Sequence, residues 1–141
     1  MDEEITSDEK FMSLFSHLSI LIPNIGIIAP IIIWVNQKEK SKFVRFHAIQ
    51  AIFYQLAFFI LMMLFIFTGV VLMLISLPIF TANPNAEPGT LFFVSMIFMF
   101  LYFPIWFFFA VYAIVAAVNS YKGRIFRYLI VGKIIEKKVY K

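Results

Sequence analysis

Residues 46–86 read FHAIQAIFYQLAFFILMMLFIFTGVVLMLISLPIFTANPNA, a run of 41 residues without Asp, Glu, Lys or Arg. Two more uncharged blocks cover residues 11–37 and 88–121, so 39 of the 141 residues carry every charged side chain. A membrane-spanning helix needs about 20 apolar residues, and each block is longer than that. The sequence therefore predicts an all-α, polytopic integral membrane bundle with three hydrophobic segments.

The overall composition excludes several classes of protein. Only 14% of the residues are charged, against about a quarter in soluble domains. The chain has no cysteine, which removes disulfides, thiolate-ligated zinc, iron–sulfur clusters and thiol nucleophiles. The sequence pI is near 9.4, but the basic residues flank apolar segments, so lipid headgroups are the expected partner and nucleic acid is not.

The charge pattern divides the chain into three parts. An acidic N-terminal segment (1–10) precedes a membrane domain (11–121), and a basic tail (122–141) follows it. The segment 1–10 has no cleavage pattern after it, which argues against a removable signal peptide. Within the membrane domain we expect spans at about residues 11–35, 46–77 and 91–119.

The first hydrophobic segment contains Pro23, Gly26 and Pro30, and prolines prevent it from forming one straight helix. Two interpretations remain open. The segment is one kinked span, which places the termini on opposite sides of the bilayer, or it is re-entrant at Pro23–Gly26, which places them on the same side.

The positive residues predict the orientation in the cell membrane. The loop Asn36–Arg45 has four Lys or Arg residues, the tail has seven, and the loop Pro78–Thr90 has none. Because positive charge is retained on the cytoplasmic side, we expect the first loop and the tail to be cytoplasmic and the Pro78–Thr90 loop to lie outside. The side of the N-terminus stays undecided.

A polar face at the start of the second span is the main candidate site. Its members share one side of the helix by their spacing; they are Arg45, His47, Gln50, Tyr54 and Gln55. The functional interpretation is a vestibule at the cytoplasmic mouth that binds a peptide segment or a lipid headgroup. The structural interpretation is that these groups only bond to water or to neighbouring helices at headgroup depth.

Two polar residues of the first segment, His17 and Asn24, are expected to face inward, toward His47 or Gln50, because a buried polar group in a bilayer needs a partner. A two-histidine metal site would lack a carboxylate or thiolate ligand, so we predict no metal. In the tail, Lys122, Arg124 and Arg127 are expected to contact lipid headgroups.

The spans contain no acidic residue and no arrangement of nucleophile and base. This pattern argues against a proton-coupled transporter. It also predicts a protein that is not an enzyme and has no catalytic residues or cofactor.

A family resemblance involves the residues HLSILIPNIGIIAPIIIWVNQKEK (17–40) and SKFVRFHAIQA (41–51). They resemble the membrane domain of the central subunit of the plastid inner-envelope protein-import translocon and its prokaryotic relatives, many of which are a domain of unknown function. The tail stretch KGRIFRYLIVGKII (122–135) keeps Gly123, Arg127 and Tyr128 of the related pattern, but has Leu129 where proline is usual. The resemblance implies a part in protein translocation or membrane-protein assembly.

Two functional hypotheses follow. The first is a non-enzymatic component of protein translocation or membrane-protein assembly, as the resemblance implies. The second is a small structural or regulatory membrane protein that binds lipid or one dedicated partner. Self-association or contact with other membrane proteins fits either hypothesis, and the sequence decides neither the oligomeric state nor the presence of a pore.

Overall fold

The computed structural model describes residues 4–22, 25–82, 89–129 and 131–140, and all regular structure in these ranges is helical. The elements in chain order are α1 (Ser7–Leu18), a 3-10 turn (Ser19–Leu21), α2 (Ile28–Gln37), α3 (Lys42–Thr81), α4 (Thr90–Tyr121) and α5 (Val131–Val139). The expectation of an all-α fold is confirmed for these ranges.

Helices α3 and α4 are long and apolar enough to cross a membrane. Their most apolar windows have mean hydropathies of 2.9 and 2.2. Large apolar side chains point outward, for example Phe100 and Phe108, which are 73% and 70% exposed. Such a surface requires a lipid environment, so the chain is a helical membrane protein.

The first hydrophobic segment is interrupted. Its helices have 12 residues in α1 and 10 in α2, and a span needs about 20. Helices α1 and α2 contact each other, so the chain doubles back between them. Gly26 permits this return, because a Cβ at this position would overlap the Ser19 carbonyl. Pro23 and Asn24 lie outside the described residues.

The described residues divide into two compact units. The first unit joins residues up to Ala57 with residues from Phe109 onward. Within it, Thr6 caps α1 in a reciprocal pair with Glu9. The end of α4 buries small side chains, which let backbones approach closely; they are Ala113, Ala116, Ala117 and Ser120.

The second unit, Phe58–Phe108, consists of the facing parts of α3 and α4. The rings of Phe65 and Phe98 are 5.5 Å apart, and a Cβ added at Gly69 would lie 3.3 Å from the Phe98 Cβ. The buried Ser95 hydroxyl donates to the Phe92 carbonyl of its own helix. Apolar packing and hydroxyls bonded within their own helix therefore characterise this unit.

Candidate functional site: a buried polar cluster

Two histidines from different helices meet inside the first unit. The His17 Nε2 and the His47 Nδ1 lie 3.0 Å apart, and these residues are only 1% and 0% exposed. The ring centroids are 5.3 Å apart. This distance is longer than the N–N distance by about the diameter of one imidazole ring, as expected when both nitrogens lie on the line between the two centroids. The two nitrogens therefore point directly at each other, as a hydrogen bond requires. Two metal ligands would instead converge on a third point.

Tyr128 continues this chain of polar groups. Its hydroxyl lies 3.1 Å from the His17 Nδ1, and the residue is 3% exposed. Burial, together with the neighbouring phenols of Tyr54 and Tyr112, raises the pKa of Tyr128 well above its ordinary value. The phenol therefore stays protonated and acts as a hydrogen-bonding group. It ties the C-terminal tail to α1.

The geometry restricts the protons on the two imidazoles. A proton between the His17 Nε2 and the His47 Nδ1 requires one donor and one acceptor, so at most one ring is charged while this bond exists. The second His47 nitrogen, Nε2, is buried and makes no hydrogen bond within residues 4–22, 25–82, 89–129 and 131–140, although the Arg124 backbone interacts with this ring. The His17 Nε2 and the His47 Nδ1 are therefore each engaged in the hydrogen bond between the two rings.

Gln50 binds the tail through both ends of its side-chain amide. The Nε2 donates to the Phe126 carbonyl at 3.0 Å, and the Oε1 accepts from the Tyr128 N–H at 3.0 Å. Residues 124–128 have no regular secondary structure, so their backbone groups need partners from elsewhere. The Gln50 amide supplies two of these partners.

Two further side chains of α3 also bond within the first unit. The Gln55 Nε2 donates to the Ser19 hydroxyl at 2.9 Å and to the Ser16 carbonyl at 3.3 Å. The Tyr54 hydroxyl donates to the Phe109 carbonyl at 3.0 Å. Four of the five candidate residues of α3 therefore make internal hydrogen bonds within the first unit, and one of them, His47, bonds to His17.

The other candidate residues lie elsewhere or are engaged differently. Arg45 is half-buried, and its Nε has no hydrogen-bond partner among the residues that the structure describes. Asn24 falls outside those residues. Lys122 and Arg124 are exposed, whereas Arg127 forms a two-pronged ion pair with Glu136 at 2.7 and 2.6 Å. The pair lowers the pKa of Glu136 and raises that of Arg127.

The sequence did not identify Tyr128, Ser16 or Ser19 as members of this cluster. Tyr128 follows His17 by 111 positions and lies in a tail whose charges suggested a surface location. The serines are common in helices and carry little information by themselves. The sequence feature that could have indicated the cluster is the pair Gln50 and Gln55. Two glutamines in an apolar helix require hydrogen-bond partners, and those partners had to come from outside α3.

Comparison with known proteins identifies a family other than the import translocon that the sequence resembles. The family model MamF_MmsF, described as the magnetosome magnetite crystal formation protein family, matches residues 8–135. No curated protein and no solved structure matches the chain.

The assignment to the import-translocon family is therefore wrong, as is the implied role in protein transport. The resemblance rested on the short stretch Ser41–Ala51 and on apolar spans, and apolar spans of unrelated membrane proteins have similar compositions. The family match instead covers almost the whole chain, including both long apolar helices. The chain belongs to the MamF/MmsF family of magnetosome magnetite crystal formation proteins.

Proposed function

We propose that the protein is a small structural or regulatory membrane protein of magnetite crystal formation. It resides in the membrane that bounds the crystal and acts by binding lipid or one dedicated protein partner, without catalysing a reaction. The match of the family model to residues 8–135 carries this proposal. The two long apolar helices support a membrane location.

The arrangement of the polar cluster supports a structural role. A reaction site needs a nucleophile or base that substrate can reach, but His17 and His47 are buried and bonded to each other. Gln50 is fully buried and bonded to the backbone of the tail. These groups therefore hold α1, α3 and the tail together.

The contacts of the first unit support a common side for both termini. The rings of Phe11 and Tyr121 are 5.3 Å apart, and His17 bonds to Tyr128. Helix α1 thus lies beside the end of α4 and the start of the tail. With α3 and α4 as the two spans, the N-terminal segment shares the side of the tail, which the positive residues assign to the cytoplasm.

Complementation in a magnetite-forming cell that lacks its own proteins of this family tests the proposal. The wild-type chain should restore crystal size in electron micrographs, and a fluorescent fusion should follow the crystal-bounding membrane. The variant Gln50→Ala should restore less, because it releases the tail. Unchanged crystals with a stable, correctly inserted wild-type chain would contradict the proposed role.

A further inference from the structure

Helix α5 has one docked face and one free face. Ile135 and Val139 are buried against Phe46 of α3, with Ile49 and Val131 beside them. On the opposite side, Lys133 and Lys137 lie one helical turn apart and are exposed. Because the apolar residues fix the helix on α3, the direction of the lysines is also fixed.

The acidic residue of α5 is neutralised within the chain. Glu136 is held by Arg127 through two hydrogen bonds, so its charge is compensated locally. The exposed cations Lys133, Lys137 and Lys138 therefore have no carboxylate of α5 left to pair with. The free face of the helix is positive.

Apolar side chains are exposed in α5 and just before it. Leu129 is 84% exposed and Ile134 is 58% exposed. A surface groove of about 410 Å³ is lined by Lys133, Ile134, Glu136, Lys137 and Tyr140. Cations beside exposed apolar residues are the pattern of a helix that lies in the membrane interface.

We infer that the lysine face of α5, formed by Lys133, Ile134, Lys137 and Lys138 with Leu129, binds the anionic phospholipids of the bilayer in which α3 and α4 are embedded. The lysines bind the headgroup phosphates, and Leu129 and Ile134 enter the boundary with the acyl chains. This surface differs from the cations expected from the sequence, since Arg127 is already paired with Glu136.

The position of α5 favours a bilayer over a free anion. The helix packs on Phe46, which lies in the first turns of α3, and it follows the end of α4 after nine residues. Both long helices therefore bring α5 to one of their ends, where the headgroup layer begins. Binding of a free phosphate would leave the apolar side chains of Leu129 and Ile134 exposed to water, whereas a bilayer would cover them.

The test uses the full chain in lipid nanodiscs. Because the chain has no cysteine, Ile134→Cys gives a single site for a fluorophore on the lysine face. Quenching is measured with the same nitroxide label on phosphatidylglycerol or on phosphatidylcholine, in discs that contain both lipids. We expect several-fold stronger quenching by phosphatidylglycerol, weakening with added salt.

Charge variants in the labelled background decide the outcome. Lys133→Gln with Lys137→Gln should remove most of this several-fold preference, because the two lysines supply the attraction to anionic lipid. Glu136→Gln should increase it. Lys38→Gln with Lys40→Gln removes two exposed cations between α2 and α3 and should leave the preference unchanged.

Equal quenching by the two lipids would overturn the inference. An equal loss in the Lys38→Gln/Lys40→Gln control would also overturn it, because the preference would then depend only on net charge. Glutamine has nearly the helix propensity of lysine, and an unchanged circular dichroism spectrum verifies that α5 remains folded. The measurement involves no crystal, so its failure is distinct from failure of the role in crystal formation.

Discussion

Gln50 and Tyr128 are 78 positions apart in the chain, yet the Gln50 side-chain oxygen accepts a 3.0 Å hydrogen bond from the Tyr128 backbone N–H. The other end of the same amide donates to the Phe126 carbonyl. One side chain thus supplies hydrogen-bond partners to two backbone groups of a segment that has no regular secondary structure. Gln50 is therefore one of the attachments of the tail, beside the Tyr128–His17 bond and the packing of α5 on Phe46.

Gln50→Ala should destabilise the protein strongly. It leaves the buried Tyr128 N–H without its partner, which costs about 1–3 kcal/mol, and it also removes the bond to the part-buried Phe126 carbonyl. Thermal unfolding in detergent measures the effect. Asn36→Ala is the control, because the exposed Asn36 amide donates only to a carbonyl of its own helix; its effect should be below about 0.5 kcal/mol. Equal losses for both variants would contradict the role of Gln50.

Gly132→Ala should loosen the start of α5. An added Cβ would lie 2.8 Å from the Arg127 Cβ and 2.9 Å from the Gln50 Oε1, so the tail or Gln50 must move. Overpacking of this kind costs about 1–3 kcal/mol. Gly89→Ala is the matched control, since no atom lies within 4 Å of its added Cβ. A neutral Gly132→Ala variant would show that α5 is not packed on Gln50.

Tyr128→Phe should lower stability by about 1 kcal/mol, because it removes the hydrogen bond to His17. The stacking on Tyr54, with centroids 4.1 Å and planes 5° apart, should persist. Tyr128→Leu should cost more because it also removes the stacked ring. Thermal unfolding of the two variants separates the hydroxyl from the ring, and equal losses would contradict this division.

The same residue predicts an alkaline loss of stability. The folded state raises the pKa of Tyr128 above its ordinary value of 10.0, so folding favours the protonated phenol. Its contribution is complete below pH 10.0 and is lost as the pH rises further. Unfolding temperatures measured across this range should fall more steeply for the wild type than for Tyr128→Phe. Parallel curves would assign the alkaline loss to other groups.

Single cysteines test the side of the N-terminus. Ser7→Cys in α1 and Lys138→Cys in α5 should react from the same side with a membrane-impermeant maleimide, because α1 packs beside the end of α4. Asn85→Cys, in the loop predicted to lie outside, should react from the opposite side. Reaction of Ser7→Cys together with Asn85→Cys would instead support an odd number of spans.

The sequence predicted the helical class well because the uncharged blocks are long. The block 46–86 has more residues than a membrane-spanning helix needs, and α3 occupies most of it. The first segment was ambiguous because Pro23, Gly26 and Pro30 permit either a kink or a return. The contact of α1 with α2 favours a return, and such a tertiary contact cannot be deduced from the local sequence pattern.

The candidate site was less predictable. The helical spacing placed His47, Gln50 and Gln55 on one face, but the nature of their partners depends on distant parts of the chain. The Tyr128 hydroxyl and the Phe126 carbonyl come from a segment without secondary structure, and backbone groups carry no sequence signature. The family resemblance was wrong because the stretch Ser41–Ala51 has only eleven residues, which is too short to define a family among apolar helices of similar composition.

The bonding of Gln50 to the tail has a consequence for biosynthesis. Residues 126 and 128 are translated after α1, α3 and α4. Until the tail emerges and docks, Gln50 and His17 lack these bonds inside the nascent protein. A chain truncated before residue 126 therefore leaves the Gln50 amide without the partners that the tail supplies.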